Sequence, residues 1–284
     1  MRTLPNNRVP SDEDLLRTKE AELAWHDSFY AVHAAQTYPD SLEEFRRFFV
    51  RDHLTPFCDG GGSWWTDARK EMIDALGDVS GKRILDYGCG YGMLGMYLGS
   101  CGAEVWGFDL SSAAAEVAKE AALRYGLRAQ FEPMDATELS YPDDFFDLVV
   151  GFGVIHHVIK YPGVAGQLFR VLKPGGRATF HETLWDNPVL NFARRFTMKD
   201  ADAGDARLGE RDIQIFFRDF RTLTIAKYHL LYMAKRLARP SSPWWSAECQ
   251  PRPFWKMVKS VDRQLLRFPP LRRYCGEVVV FVQK

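Results

Sequence analysis

Cysteine is scarce in this sequence, and the few cysteines present are scattered. The 284 residues contain five of them, and none forms a C-x-x-C pair or stands at zinc-ligand spacing from a histidine. A structural zinc site needs such spacing, and a disulfide framework needs a dense, regular set of cysteines. We find no cluster of Asp, Glu and His with ligand spacing either, so the sequence predicts neither a disulfide framework nor a bound metal.

A net charge and long apolar runs are also missing. Lysine and arginine together number 37, and so do aspartate and glutamate, which leaves a net charge of zero. Without a positive field or a basic run to follow phosphates, nucleic acid is not an expected partner. No apolar run approaches the length that crosses a bilayer, and the first residues lack the apolar centre of a signal peptide. We therefore expect a cytoplasmic protein without a membrane span.

Glycine, by contrast, is concentrated in one stretch around which the chain is organised. A short apolar run at 83–85 predicts a buried strand, and residues 93–98 favour a helix. The turn between them holds one acid and three alternating glycines: Asp86, Gly88, Gly90 and Gly92. Glycines suit this turn because the chain bends sharply there and because a ligand can approach bare backbone.

Two classes of cofactor compete for such a turn. Gly90, Gly92 and Gly95 fit the G-x-G-x-x-G pattern, which places the pyrophosphate of a dinucleotide on a helix N-terminus. Asp86 argues against a pyrophosphate, because two like charges about 4 Å apart repel by roughly 4 kcal/mol at an effective dielectric near 20. S-adenosylmethionine carries an ammonium and a sulfonium group and no phosphate, so an acid beside the turn favours it.

The segment from Asp86 to Gly92 resembles motif I of the class I S-adenosylmethionine-dependent methyltransferases, D/E-x-G-x-G-x-G, and matches it in full. The resemblance covers residues 80 to 184 well and the closing strand pair in outline. Over the first 80 residues and over 230–275 it is looser, and there it is to small-molecule methyltransferases of the ubiquinone-biosynthesis type. A Leu-Lys-Pro-Gly-Gly turn at 172–176 also matches the family.

Two further acids match the family pattern at the ends of predicted strands. Asp109 follows the strand at 104–108 and lies 23 residues after Asp86 (109 minus 86), about the offset at which an acid meets a ribose diol. Asp135, after the strand at 129–132, resembles the acid that accepts from the adenine amino group. The resemblance implies S-adenosylmethionine as cofactor, S-adenosylhomocysteine as product, and these cofactor-binding residues: Asp86, Gly88, Cys89, Gly90, Asp109, Leu110, Met134, Asp135, Ala136, Gly151, Phe152 and Tyr30.

Three residues are candidates for the chemistry itself. Methyl transfer is an in-line displacement at an activated carbon, so the protein mainly aligns the reactants and excludes water. A base is needed only where the nucleophile must lose a proton, and His156, His157 and Glu182 near the ends of the fourth and fifth strands are the candidates. Glu182 is alternatively suited to stabilising a carbocation if the acceptor is an alkene. His181 should point to the opposite face from Glu182, because side chains alternate along a strand.

Alternating strands and helices from residue 81 onwards predict an α/β fold, a doubly wound, Rossmann-like sheet of seven strands with a helical cap and an antiparallel last strand. We divide the chain into four parts. They are an N-terminal helical cap segment (1–80), a cofactor-binding core (81–184), a cap insertion (185–220) and a closing strand pair (221–284) that carries a lid insertion (230–275).

The tryptophans bear on the acceptor, since seven of the eight lie outside the core: Trp25, Trp64, Trp65, Trp185, Trp244, Trp245 and Trp255. Aromatics placed there are suited to lining an apolar pocket under a lid. The sequence thus predicts a methyltransferase that acts at O, N or C of a small hydrophobic or aromatic metabolite. Two alternatives stay open: a nicotinamide-dependent oxidoreductase that uses the glycine turn, and an S-adenosylmethionine-binding protein that catalyses a non-transfer reaction such as a cyclisation.

Overall fold

The fold is built on strands whose residues are apolar toward both faces of one sheet. We describe it from a computed structural model that places residues 11–33, 38–54, 66–189, 191–192, 207–237 and 253–284. The strands are Arg83–Tyr87 (β1), Glu104–Asp109 (β2), Ala129–Pro133 (β3), Phe146–Phe152 (β4), Leu172–Thr183 (β5), Thr222–Tyr228 (β6) and Glu277–Gln283 (β7).

These strands form a single sheet in the order β3-β2-β1-β4-β5-β7-β6. The pairs from β3 to β5 are parallel, and β7 runs antiparallel to both of its neighbours, β5 and β6. The prediction of a seven-stranded α/β sheet with an antiparallel last strand is confirmed. Because β7 is antiparallel to both neighbours, β6 runs in the same direction as β1 to β5. These six strands therefore end at one edge of the sheet, which is the edge where open α/β sheets bind ligands.

Helices cover both faces of the sheet and extend over its carboxyl edge. Among the described residues they are Asp12–His33 (α1), Leu42–Phe49 (α2), Thr66–Asp74 (α3), Met93–Ser100 (α4), Ser112–Arg124 (α5), Ile155–Val158 (α6), Val164–Val171 (α7), Glu210–Phe216 (α8), Pro253–Leu265 (α9) and Pro269–Arg272 (α10). A π-helical turn lies at Val50–Leu54 and a 3-10 helix at Tyr232–Leu237. None of these helices combines the length and apolar character needed to cross a bilayer.

The core has two halves, one on each face of the sheet. Along β1, Ile84 packs on the side of α3, α4 and α5, while Leu85 and Tyr87 pack on the side of α7 and α8. The same alternation separates Val279 from Val280 in β7. Because such strands are buried on both sides, each large side chain contributes about 2 kcal/mol by leaving water.

Serine side chains cap the first two helices. Ser11 caps α1, since its hydroxyl accepts from the N–H of Asp14 at 3.2 Å, and Ser41 caps α2 in the same way. Of the flanking tryptophans, Trp25 is 41% exposed and Trp255 is buried. Trp64, Trp65, Trp244 and Trp245 lie outside the described residues.

Two boundaries differ from the prediction. The turn expected at Leu172–Gly176 lies inside β5, because Leu172 already pairs with Phe146 of β4 before the register shifts and the pairing resumes at Arg177. The largely apolar run at 146–150 predicts a strand that ends at residue 150, but β4 continues to pair through Phe152.

Candidate functional site

The turn after β1 is made of glycines in a left-handed backbone conformation. Gly88, Gly90 and Gly92 have φ angles of 63°, 51° and 74°, which residues with a side chain rarely adopt. Between them, Cys89 is half-buried and donates its N–H to the carbonyl of Phe108 at 2.8 Å. This bond holds the turn against the carboxyl end of β2.

Asp86 lies behind this turn and not in front of it. Alternation along β1 directs its side chain toward α4, where it is 2% exposed, and its Oδ2 accepts from the N–H of Gly95 at 2.8 Å. The expectation that Asp86 faces a ligand at close range is therefore wrong, and its charge acts on the site only through the intervening backbone. Burial raises the pKa of Asp86 to about 7; the Gly95 N–H opposes this shift, and the charge of Asp109 adds to it.

Asp109 stands at the end of β2, where two backbone donors hold its carboxylate. The N–H of Gly90 donates to Oδ2 at 2.8 Å, and the N–H of Ser111 donates to Oδ1 at 3.0 Å. Burial raises the pKa of Asp109 even though both donors lower it. The structure thus places this predicted residue directly beside the glycine turn. The next residue, Leu110, is half-buried at the same edge.

Asp135 follows β3 at the same edge, and both of its oxygens are occupied. Oδ1 accepts from the N–H and the hydroxyl of Thr137, each at 2.8 Å, and Oδ2 accepts from Nζ of Lys19 on α1 at 2.6 Å. Burial raises the pKa of Asp135, but Lys19 and Thr137 outweigh it, and the pKa lies below its ordinary value. Met134 is half-buried and Ala136 is buried on either side. No pattern in the sequence indicated the lysine.

Helix α1 lies across this part of the sheet edge and brings Tyr30 onto the glycine turn. The hydroxyl of Tyr91 donates to the carbonyl of Tyr30 at 3.1 Å, and the two rings meet edge to face at 4.7 Å. A Cβ added to Gly90 would stand 2.8 Å from the Tyr30 hydroxyl oxygen. Farther along, the hydroxyl of Ser111 donates to the carboxylate of Asp27. Burial, and then the charge of Asp109, raise the pKa of Tyr30 well above its ordinary value.

Glu182 and His156 form a hydrogen-bonded pair at the ends of β5 and β4. Glu182 is fully buried; its Oε1 accepts from the N–H groups of Val154 and Ile155 at 2.8 and 2.7 Å, and its Oε2 lies 2.8 Å from Nδ1 of His156. Burial raises the pKa of Glu182, but His156 and the Ile155 N–H outweigh it, and the pKa lies below its ordinary value. Both oxygens of Glu182 thus lie within hydrogen-bond distance of protein groups, and its part in the chemistry stays a prediction.

The second histidine of the pair turns toward α1. Nδ1 of His157 lies 3.7 Å from Oε1 of Glu22, and its ring meets that of His26 edge to face at 5.2 Å. Glu22 is buried, pairs with Lys160, and accepts from the hydroxyl of Tyr161 at 2.8 Å. The two adjacent histidines thus face different carboxylates, one from β5 and one from α1.

The last two residues of β4 pack within the sheet. A Cβ on Gly151 would come within 2.8 Å of the Phe180 ring. The ring of Phe152 lies 4.2 Å from the guanidinium of Arg69 on α3 and 6.1 Å from the ring of His181. Their contact with a cofactor stays a prediction.

A second polar cluster, which sequence reasoning missed, lies farther along the same edge. Oε2 of the buried Glu277 is 3.0 Å from Nδ1 of His229 and 3.4 Å from Nε2 of His181. His181 thus points to the face of the sheet opposite Glu182, as predicted. On its other side, His229 faces Asp67 at 4.0 Å, and Asp67 pairs with Lys259 of α9 at 3.2 Å. An acid at the start of the otherwise apolar β7 was the one available signal. In the described part of the chain, no group of three or more His, Cys, Asp or Glu could hold a metal ion.

Comparison with known proteins identifies relatives of the central part of the chain. Residues 84–176 match the profile of a family described as "Methyltransferase domain". A ubiquinone biosynthesis O-methyltransferase of Alkalilimnicola ehrlichii is 32% identical over 164 residues, 52% of this chain and 66% of that protein. Phosphoethanolamine N-methyltransferase 3 of Arabidopsis thaliana is 33% identical over 122 residues, 43% of this chain and 24% of that protein. The chain thus spans at most about two thirds of these relatives.

Solved structures share the fold over more of the chain. A methyltransferase of Archaeoglobus fulgidus, described as dependent on S-adenosylmethionine, has a TM-score of 0.51 at 16% identity and covers 75% of this chain and 91% of its own. The [4+2]-cyclase SpnF has a TM-score of 0.57 at 18% identity and covers 94% of this chain and 96% of its own. At these identities the likeness shows the fold alone.

Proposed function

We propose that this chain, whose residues 84–176 match a methyltransferase domain, is a class I S-adenosylmethionine-dependent methyltransferase that methylates a small hydrophobic or aromatic metabolite at an oxygen or nitrogen that gives up a proton. The observation that carries the proposal is the 2.8 Å hydrogen bond between Glu182 and His156 at the carboxyl edge of the sheet. An acceptor that loses no proton has no need of such a base. The relatives named above include an O- and an N-methyltransferase, which supports an acceptor of this kind.

The residues around the glycine turn fit the proposed cofactor. The backbone is bare at Gly90, and the side-chain charges bonded to the turn and to the helix after it are the carboxylates of Asp109 and Asp86. When bound, S-adenosylmethionine supplies a methyl group that positive sulfur makes electrophilic. Asp109 would accept from the ribose hydroxyls, Asp135 would accept from the adenine amino group, and the field of Asp86 would favour the cationic groups.

His156 is the residue that we propose takes the proton of the acceptor. Because Glu182 is ionised, it accepts from the Nδ1–H of His156, and the imidazole lone pair then lies on Nε2. As Nε2 takes up the proton, the same carboxylate stabilises the imidazolium. The N–H groups of Val154 and Ile155 keep Glu182 charged and in place. Glu182 is thus a positioning residue, and His156 is the base.

The segment that precedes β7 is attached to the sheet by packed aromatic rings. Trp255 of α9 meets Tyr232 edge to face at 5.6 Å, and Tyr232 in turn lies 4.9 Å from the ring of His229. The Trp255 and Tyr232 rings are both buried, so they fix this segment to the core, and the proposed preference for a hydrophobic or aromatic acceptor rests on the aromatic residues concentrated in the flanking segments.

The test is transfer of a labelled methyl group from S-adenosylmethionine to a panel of phenols, catechols and aromatic amines. Matched acceptors whose oxygen or nitrogen is already fully methylated serve as controls, and they should take up no label. His156→Ala should lower kcat by about a hundredfold or more, in the range for losing a general base, while calorimetry shows unchanged affinity for S-adenosylhomocysteine. Equal label in free and blocked acceptors, or an unaltered kcat in the variant, would contradict the proposal.

The same measurements separate the alternatives. The matches above give no support to a nicotinamide enzyme, and a thermal shift with NADH in place of S-adenosylhomocysteine would overturn the cofactor assignment. Tight binding of S-adenosylhomocysteine without label in any acceptor would favour a non-transfer reaction.

A further inference from the structure

Lys19 occupies the carboxylate that we assign to the adenine of the cofactor. Its Nζ donates to Oδ2 of Asp135 at 2.6 Å and lies 3.5 Å from the hydroxyl oxygen of Thr137. The pair is only partly exposed, with 23% of the lysine side chain and 34% of the aspartate side chain accessible. The other oxygen of Asp135 is held by Thr137. Lys19 thus takes one of the two acceptor positions of Oδ2 and offsets the charge of Asp135, so it competes with any amino group that Asp135 is to bind.

The Lys19 ammonium and the adenine amino group are both hydrogen-bond donors, but they differ in charge. The lysine ammonium and the adenine amino group each offer N–H groups to the carboxylate, but the ammonium adds a positive charge and makes the stronger, charge-assisted bond. The lysine is also tethered through α1, so it meets Asp135 without the loss of translational freedom that a free ligand suffers on binding. A second α1 contact reinforces this arrangement, because Tyr30 already touches the glycine turn at Gly90.

We propose that Lys19 is an intramolecular competitor of the cofactor, which holds Asp135 while α1 is docked and thereby sets the affinity for the nucleoside. The proposal rests on the proposed function, specifically on Asp135 as the acceptor of the adenine amino group. When the ligand displaces Lys19, the ammonium keeps a favourable neighbour, because the ring of Tyr161 lies 4.9 Å from Nζ. The apparent dissociation constant of the cofactor then equals its intrinsic value divided by the fraction of molecules in which Asp135 is released.

The experiment compares the affinity of S-adenosylhomocysteine for wild type and Lys19→Met by calorimetry. Methionine is one atom shorter than lysine and carries no charge, so binding should tighten by about fivefold, at the lower end of typical coupling between two binding events. Arg17→Met is the matched control, because Arg17 is a cation on the same helix that is 72% exposed and, among the described residues, forms an ion pair with Glu13; the affinity of this variant should equal that of wild type. Thermal unfolding without ligand checks that both variants fold, and Lys19→Gln serves as a second neutral variant.

A double-mutant cycle then localises the effect. In the Asp135→Asn background, binding of S-adenosylhomocysteine should be weaker than in wild type, and Lys19→Met should no longer tighten it, because there is no charge left to compete for.

The outcomes are distinct. If S-adenosylhomocysteine binds to none of the proteins, both the proposed function and the competitor role of Lys19 are overturned. If it binds and both neutral variants at residue 19 bind no tighter than wild type, the competitor role of Lys19 is overturned while the proposed function stands. Equal tightening in the Asp135→Asn background would also overturn it, since the gain would then come from elsewhere on α1.

Discussion

Replacing Asp86 with asparagine should make the ligand-free protein more stable and its complex with S-adenosylmethionine weaker. Asparagine keeps an oxygen to accept the N–H of Gly95, as Asp86 does at 2.8 Å, but it carries no charge. The buried charge is what raises the pKa of Asp86 from 3.8 to about 7. Ionising this residue therefore costs free energy in the folded protein that it does not cost in the unfolded chain.

The size of the effect follows from the shift. Three pKa units correspond to about 4 kcal/mol at roughly 1.4 kcal/mol per unit, and because a real site relaxes around the charge we expect about 2 to 4 kcal/mol. A carboxyl group whose folded pKa lies above its unfolded value destabilises the folded state at high pH and leaves it unaffected below the unfolded pKa. The advantage of Asp86→Asn should thus be full above about pH 7 and should vanish near pH 4.

Urea unfolding of wild type and variant at pH 8, 6 and 5 measures this difference. Asp74→Asn is the matched control, since Asp74 is 61% exposed and, within the described part of the chain, pairs with Lys70 on the same helix; this variant should change the free energy of unfolding little at any pH. A second readout is calorimetry of S-adenosylmethionine binding in buffers of different ionisation enthalpy. At pH 7 wild type should release a proton, because the cationic ligand favours ionised Asp86, and the variant should not. A stability difference that does not change with pH, or a less stable variant at pH 8, would refute this account of Asp86.

Three further predictions concern the other carboxylates. Asp109→Ala should weaken S-adenosylhomocysteine binding by about 2 kcal/mol, in the range for lost hydrogen bonds to a charged group, and unchanged affinity in calorimetry would refute the ribose role. Glu182→Gln should lower kcat strongly while sparing the affinity for S-adenosylhomocysteine, because the amide would donate to Nδ1 of His156 and move the imidazole proton onto Nε2; a wild-type kcat would remove Glu182 from the mechanism. Burial raises the pKa of Glu277, but His229 and His181 outweigh it and the pKa lies well below the ordinary 4.5, so Glu277 stabilises the fold above about pH 4.5 and this contribution is lost as the pH falls further. In urea unfolding, Glu277→Gln should therefore lose less stability than wild type between pH 5 and pH 3, and identical slopes would show that Glu277 does not control acid unfolding.

The strands were the part of the fold that the sequence predicted best, for a physical reason. In β4 and β7 almost every side chain leaves water, so each appears as a short apolar run that no surface helix would show. The start of β5 was missed because Pro174, Gly175 and Gly176 are typical turn residues. The pairing of Leu172 with Phe146, which extends the strand across them, is a tertiary contact that no local pattern reports.

The site divides in the same way. Asp109 and Asp135 could be placed because they follow predicted strands, and parallel strands end at a common edge. Alternation along β1 would have given the true orientation of Asp86, but the interpretation relied on the motif, which suggested contact with the ligand. Lys19 could not be found at all, since 116 residues separate it from Asp135 and only the packing of α1 brings them together.

The way in which the segment between β6 and β7 joins the sheet has a consequence for how homologous proteins can differ in their acceptors. Tyr228, the last residue of β6, pairs with Glu277, the first residue of β7, so the chain leaves the sheet and returns to it at neighbouring points. The 48 intervening residues (229 to 276) are thus an insertion between two neighbouring antiparallel strands. Shortening them to a turn of about six residues would lower the entropic cost of closing this loop by only about 2 kcal/mol. We therefore expect that exchanging this segment between homologous proteins leaves the proposed cofactor site at the glycine turn intact and changes which acceptor is methylated.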